Sequence, residues 1–93
     1  MGKVALITGA SRGIGRQMAR DFAAQGYGVA IGYMQHEQEA LALQAELGPS
    51  ALAVHADIAN ANAVAAMVQK VCGHFGKIDV LINNAGIASF GLL

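Results

Sequence analysis

The sequence predicts an α/β fold, a parallel sheet with helices on both faces, and three observations carry that prediction. Short apolar runs alternate with stretches of helical period in the order βαβαβαβ. Glycine punctuates them at Gly9, Gly26, Gly48 and Gly76. The connections are short, and no linker, charge run or low-complexity tract divides residues 1–93, so the chain reads as part of one domain. Strands joined through helices pair in parallel with right-handed crossovers.

Each element has its own signal. Val4 to Thr8 (VALIT) is a continuous apolar run, the mark of a strand covered on both faces. From about Gly13 to Gln25 the period changes: Ile14, Met18 and Phe22 recur every four residues beside Ala19 and Ala23, giving an amphipathic helix that Gly26 ends. Val29 to Tyr33 is the second strand. Polar Gln35, His36 and Glu37 follow it, then a helical stripe of Ala40, Leu43 and Leu47 stopped by Gly48-Pro49. Ala51 to Ala56 is the third strand. Val64, Met67, Val68, Val71 and Phe75 line a third helix closed by Gly76, and Ile78 to Ile82 is the fourth strand.

Composition narrows the function. At 55% hydrophobic and 13% charged, the chain is too apolar to stay disordered. Its 19 alanines and 12 glycines suit close contact between backbones. A net charge of +0 gives no field for gripping nucleic acid or an anionic membrane. Yet Lys3, Arg12, Arg16 and Arg20 all precede the first acid, Asp21, which suits a small anionic ligand. Cys72 is alone and no Cys/His cluster has metal-ligand spacing, so neither a disulfide nor a metal is expected. A reducing, cytoplasmic setting follows as the expectation. No apolar run reaches membrane-spanning length and no leader pattern opens the chain.

The informative stretch is Thr8-Gly9-Ala10-Ser11-Arg12-Gly13-Ile14-Gly15, where strand one becomes helix one. In a chain this rich in glycine the bare pattern is weak, and its place makes it informative. A helix start offers unpaired N–H groups and the positive end of its dipole, which together bind anions. Gly9 permits the turn, Gly13 lets a pyrophosphate approach bare backbone, and Gly15 lets helix pack on strand. The Gly-Lys-Ser/Thr of a Mg-nucleotide loop is absent, so a dinucleotide fits better than ATP.

With Asp57-Ile58 after strand three and Asn83-Asn84-Ala85-Gly86 after strand four, this turn makes the chain resemble the short-chain dehydrogenase/reductase family. KVALITGASRGIG and KIDVLINNAGIASFGLL are most similar to its 3-oxoacyl-(acyl-carrier-protein) reductase branch. The resemblance implies a Rossmann-like, doubly wound sheet, incomplete here, with the chain as the N-terminal dinucleotide-binding portion. It implies that Gly9, Ser11, Arg12 and Ile14 surround the adenosine ribose and pyrophosphate. Asp57 and Ile58 would meet the adenine, and Asn83, Ala85 and Gly86 would line the ribose. The alternative for Asp57 is a cap for the following helix, and for the two asparagines it is bracing between strands.

Dinucleotide sites mark NAD with an acid at the end of strand two, where it bonds the ribose 2′-hydroxyl and repels a 2′-phosphate. Tyr33 holds that place here, next to Met34, and the first acid is Glu37. Arg12 is placed to pair with a 2′-phosphate, so NADP(H) is expected over NAD(H). The alternative for Arg12 is a solvated helix-start arginine.

The family protonates the developing alkoxide through a Tyr-x-x-x-Lys pair with a Ser upstream. Four residues after Tyr27 comes Ile31 and four after Tyr33 comes Glu37, so the pair is missing. No residue is therefore assigned a catalytic role. The resemblance implies reduction of a 3-oxoacyl thioester-like carbonyl, on a small substrate or one bound to acyl-carrier protein, by a homo-oligomer, a tetramer in the family. The rivals are a non-catalytic dinucleotide-binding module or truncated fragment, and an epimerase or dehydratase, whose tighter glycine spacing this chain lacks. An apolar edge at Ile78 to Ile82 predicts marginal stability or self-association for the chain alone.

Overall fold

The computed structural model describes residues 2–84, in which four parallel strands alternate with three α-helices. They are β1 (Val4–Thr8), α1 (Gly13–Ala24), β2 (Gly28–Tyr33), α2 (Glu37–Leu47), β3 (Ala51–His55), α3 (Ala61–Phe75) and β4 (Val80–Ile82), with a 3-10 turn over Gly48–Ser50 leading into β3. The strand order is β3-β2-β1-β4. Ala5 of β1 registers with Val29 on one side and Val80 on the other. The order therefore reverses between β1 and β4, where ligands of open α/β sheets bind.

Continuous apolarity in β1 has the cause expected for it: Val4, Ala5, Leu6 and Ile7 are all fully buried. Alternation along the strands divides them between two half-cores. Ile7, Val29 and Ile31 meet Ala19 of α1 and Ala40 and Leu43 of α2. Val4, Leu6, Ala30 and Val54 meet Met67, Val71 and Phe75 of α3 on the opposite face. Each large aliphatic buried this way contributes about 1.5–3 kcal/mol. Helices thus cover both faces, two on one side and one on the other.

The helix ends follow local chemistry. Asn60 caps α3, its side chain accepting from Ala63 N–H at 3.1 Å. Gly76 closes it in the left-handed region at φ 87° and donates to Cys72 O at 2.7 Å. Between α1 and α2, Arg20 grips Glu46 at 2.7 and 3.0 Å.

Two sequence expectations need correction. The fourth strand is three residues, not five, because Asp79 turns back to β1: its N–H donates to Val4 O at 2.8 Å and its carboxylate accepts from Val4 N–H at 2.8 Å. The Val4 hydrogen bond, with Lys77 at 3.3 Å, holds the Asp79 carboxyl below the usual carboxylate range. Ile78 packs against the α3 half-core. Ile14 is the second: it heads the predicted apolar stripe of α1 yet is 74% exposed, while Met18 and Phe22 pack inward.

The two sheet edges differ. On β3 the outward Ala53 N–H is taken by the Gln44 side chain at 2.6 Å, which blunts that edge. On β4, Leu81 is 63% exposed. Among the described residues no helix is long and apolar enough to cross a membrane. No group of His, Cys, Asp and Glu there could hold a metal.

Candidate functional site

The carboxyl ends of the first three strands open into one cleft of about 1120 Å³. Its floor is Thr8 at the end of β1, Gly9 after it and Gly32 within β2. Ser11, Arg12, Gly13 and Ile14 form one wall; Tyr33, Met34, Gln35 and His36 a second; Ala56, Asp57, Ile58 and Ala59 a third. The cleft lies where the parallel sheet must place a ligand site, outside the strand ends beside the reversal of strand order.

The glycine turn is shaped as its sequence requires. Gly9 and Gly13 have φ of 65° and 64°, a region that costs other L-residues about 1–2 kcal/mol. A Cβ on Gly13 would meet no protein atom within 4 Å, so that backbone faces open space. Gly15 is the opposite case. A Cβ there would run into Gly9 O and lie 2.6 Å from Asn84 Nδ2 and 3.0 Å from Ala10 Cα, so its absence permits close packing.

Helix α1 begins beneath that turn without a side-chain cap and without an acid in its first turn. Its N–H groups and dipole are thus left to whatever enters the cleft, and an anion suits both. Arg12, at the cap position, is exposed, and among the described residues no carboxylate pairs with it. Arg16 is committed elsewhere, donating to Ser11 O at 3.0 Å and Glu39 O at 2.7 Å. Of the two neighbouring arginines, Arg12 remains available to a ligand.

Across the cleft, Tyr33 is buried and its ring meets His55 edge-on at 5.5 Å. Burial, with Glu37 nearby, pushes its phenol above the usual tyrosine range and keeps it neutral. His55 bonds Met34 O at 3.1 Å, so it is a partnered strand histidine. The second strand ends with no acid before Glu37.

Asp57 stands on the third wall and accepts from Ala59 N–H at 2.9 Å, bracing its own turn. The helix cap is Asn60, so Asp57 does not serve as the cap. Thr8 Oγ1 donates to Asn83 Oδ1 at 3.1 Å, and Asn84 Nδ2 donates to Gly9 O at 3.0 Å. Both asparagines therefore brace β4 against the glycine turn. Asn84 also lines the cleft, whereas Asn83 lines a smaller hollow of about 200 Å³ between α3 and β4.

Of the residues singled out from sequence, Gly9, Ser11, Arg12, Gly13, Ile14, Tyr33, Asp57 and Ile58 line the one cleft. Gly15 and Asn83 support it from behind. Ala85 and Gly86 lie outside the described residues. Sequence reasoning missed Met34, His36 and Met67 on the lining. Only the place of Met34 and His36, just past a strand end, could have drawn attention to them.

The sequence matches the family model for short chain dehydrogenase over residues 3–93. The chain belongs to that family. It is 46% identical over 96 residues to the 3-oxoacyl-(acyl-carrier-protein) reductase FabG of Staphylococcus aureus, covering 100% of this chain and 39% of that protein. It is 47% identical over 89 residues to momilactone A synthase of Oryza sativa, covering 95% of this chain and 32% of that protein. The crystal structure of a 3-ketoacyl-(acyl-carrier-protein) reductase from Brucella melitensis complexed with NADH matches with a TM-score of 0.82 at 45% identity, over 86% of this chain and 33% of that one. The chain thus spans well under half the length of these short-chain relatives. Relatives of different name thus match it at similar identity.

Proposed function

We propose that this chain holds NADP(H), in preference to NAD(H), for a short-chain oxidoreductase that reduces a 3-oxoacyl thioester-like carbonyl to a hydroxyl. The observation that carries the reading is the uncapped start of α1 under a bare Gly13. The residues fit the coenzyme. A pyrophosphate would lie against the N–H groups at Gly13 and Ile14, where a side chain would block it. Arg12 would take the 2′-phosphate, and no acid at the end of β2 opposes it. Asp57 and Ile58 on the third wall would meet the adenine, and Asn83, Ala85 and Gly86 would line the ribose.

When bound, the dihydronicotinamide supplies hydride to the carbonyl carbon. This chain's residues orient it and screen its phosphates, while the proton for the carbonyl oxygen needs a Tyr-x-x-x-Lys pair, which these 93 residues do not contain. On this reading the complete enzyme is a cytoplasmic homo-oligomer, and its substrate is carried on acyl-carrier protein.

The test is calorimetric titration with NADPH and NADH at neutral pH. A hydrogen bond to a charged group contributes roughly 1.5–3 kcal/mol, so Arg12→Ala should weaken NADPH binding about 10- to 100-fold and leave NADH nearly unchanged. Equal losses for both coenzymes would remove Arg12 from the role, and binding of neither would remove the reading.

A further inference from the structure

Arg16 follows Arg12 by one helical turn and, unlike it, does not line the cleft. Its side chain is half-buried, and a single nitrogen, Nη1, donates to two main-chain oxygens, Ser11 O at 3.0 Å and Glu39 O at 2.7 Å. The first belongs to the glycine turn and the second to the first turn of α2. The ladder of α1 itself holds this turn loosely: Arg16 N–H reaches Arg12 O at 3.4 Å, beyond the usual range of about 2.7–3.2 Å. A trans peptide points its N–H away from its carbonyl, so fixing Ser11 O also fixes the direction of the Arg12 N–H. Ser11, Arg12 and Gly13 form the cleft wall that coenzyme phosphates would meet.

We propose that Arg16 is a positioning residue for the coenzyme diphosphate: without touching it, the side chain holds the Ser11–Arg12 peptide unit against the first turn of α2 and so sets affinity for the part that NADPH and NADH share. The inference rests on the functional reading above. Arg12 and Arg16 then divide the work, one reading the phosphate that distinguishes the coenzymes and the other aiming main chain beneath what they have in common. Released from Arg16, the peptide unit must be ordered by the coenzyme itself, and fixing the backbone of one residue is worth about five- to thirtyfold in affinity. The Arg20–Glu46 pair joins the same two helices at 2.7 and 3.0 Å but runs from side chain to side chain and bonds no part of the glycine turn, so it is the internal control.

The experiment titrates the native chain, Arg16→Met, Arg16→Lys and Arg20→Met with NADPH and with NADH by calorimetry. Arg16→Met keeps the apolar stem and removes the donors; it should weaken both coenzymes by the same factor, about five- to thirtyfold, where Arg12→Ala weakens NADPH alone. A lysine ammonium has donors enough for two oxygens, so Arg16→Lys should recover most of the loss. The loss should persist in about 0.5 M salt, which screens any effect of the Arg16 charge acting through space. In NMR relaxation, the amide order parameters of Arg12 and Gly13 should fall in free Arg16→Met, stay native in Arg20→Met, and recover when coenzyme binds. If Arg16→Met does not fold, Arg16→Gln, whose amide sits on a shorter stem, gives the same comparison. Native affinity for both coenzymes in the Arg16 variant, a loss confined to NADPH, a loss abolished by salt, or an equal loss in Arg20→Met would overturn the inference and leave the coenzyme reading intact. Binding of neither coenzyme by the native chain would overturn both.

Discussion

Gly13→Ala and Gly15→Ala add the same methyl two residues apart and should fail in different ways. At Gly13 the backbone sits at φ 64°, so alanine costs roughly 1–2 kcal/mol of stability. Its methyl meets no protein atom within 4 Å, and its nearest neighbour would be the ligand. A phosphate pushed off the α1 N–H groups loses at least one charge-assisted hydrogen bond, roughly 1.5–3 kcal/mol, or about 10- to 100-fold in Kd. At Gly15 the methyl collides with Gly9 O, backbone that cannot swing aside, and crowds Asn84 Nδ2 at 2.6 Å. Overpacking costs about 1–3 kcal/mol, and loss of the Asn84 to Gly9 hydrogen bond about 1 kcal/mol more. Urea unfolding followed by circular dichroism measures the stabilities, and calorimetric titration with NADPH measures the affinities. Gly15→Ala should be the less stable variant, and Gly13→Ala should lose affinity beyond anything its stability explains. If Gly13→Ala binds NADPH as tightly as the native chain, phosphates do not approach that turn.

Asp79 should shape acid stability. Its folded-state titration is lowered by the Val4 N–H and then by Lys77, from an ordinary value of 3.8. That contribution is complete above the unfolded value and disappears as pH falls through the lower folded one. Urea midpoints measured from pH 6 to pH 2.5 should therefore fall more steeply below about pH 4 in the native chain than in Asp79→Asn; parallel curves would refute the assignment. The exposed Leu81 on the β4 edge predicts concentration-dependent self-association in sedimentation, reduced by Leu81→Lys. A compact monomer at micromolar concentration in both proteins would contradict it.

Much of the fold was legible because strand burial and helical period are local signals. Val4–Thr8 and the inward faces of α2 and α3 are read straight from residue order. What escaped depends on partners distant in sequence. Nothing around Ile78 says that Asp79 will bond Val4 and shorten the strand. Ile14 fits the apolar stripe of α1 yet stands outside the core, on the lining of the cleft. In the site, the glycine turn was legible because Gly9 and Gly13 need conformations other residues resist. Asp57 and the asparagines came from resemblance, since their spacing alone allows several roles. His36 gives no such signal, because no local pattern reports which wall of a cleft a polar residue will join.

Arg16 reaches from α1 to two carbonyls, one in the glycine turn and one in the first turn of α2. The guanidinium acts as a rivet between them, beside the Arg20–Glu46 pair that joins the same two helices. A molecule that seats itself against one of them finds the other already in place, and less freedom has to be surrendered at the moment of capture. Sensitivity to distant change is the counterpart: a disturbance that tips α2 by a fraction of an ångström is handed through this side chain to the peptide units at Ser11.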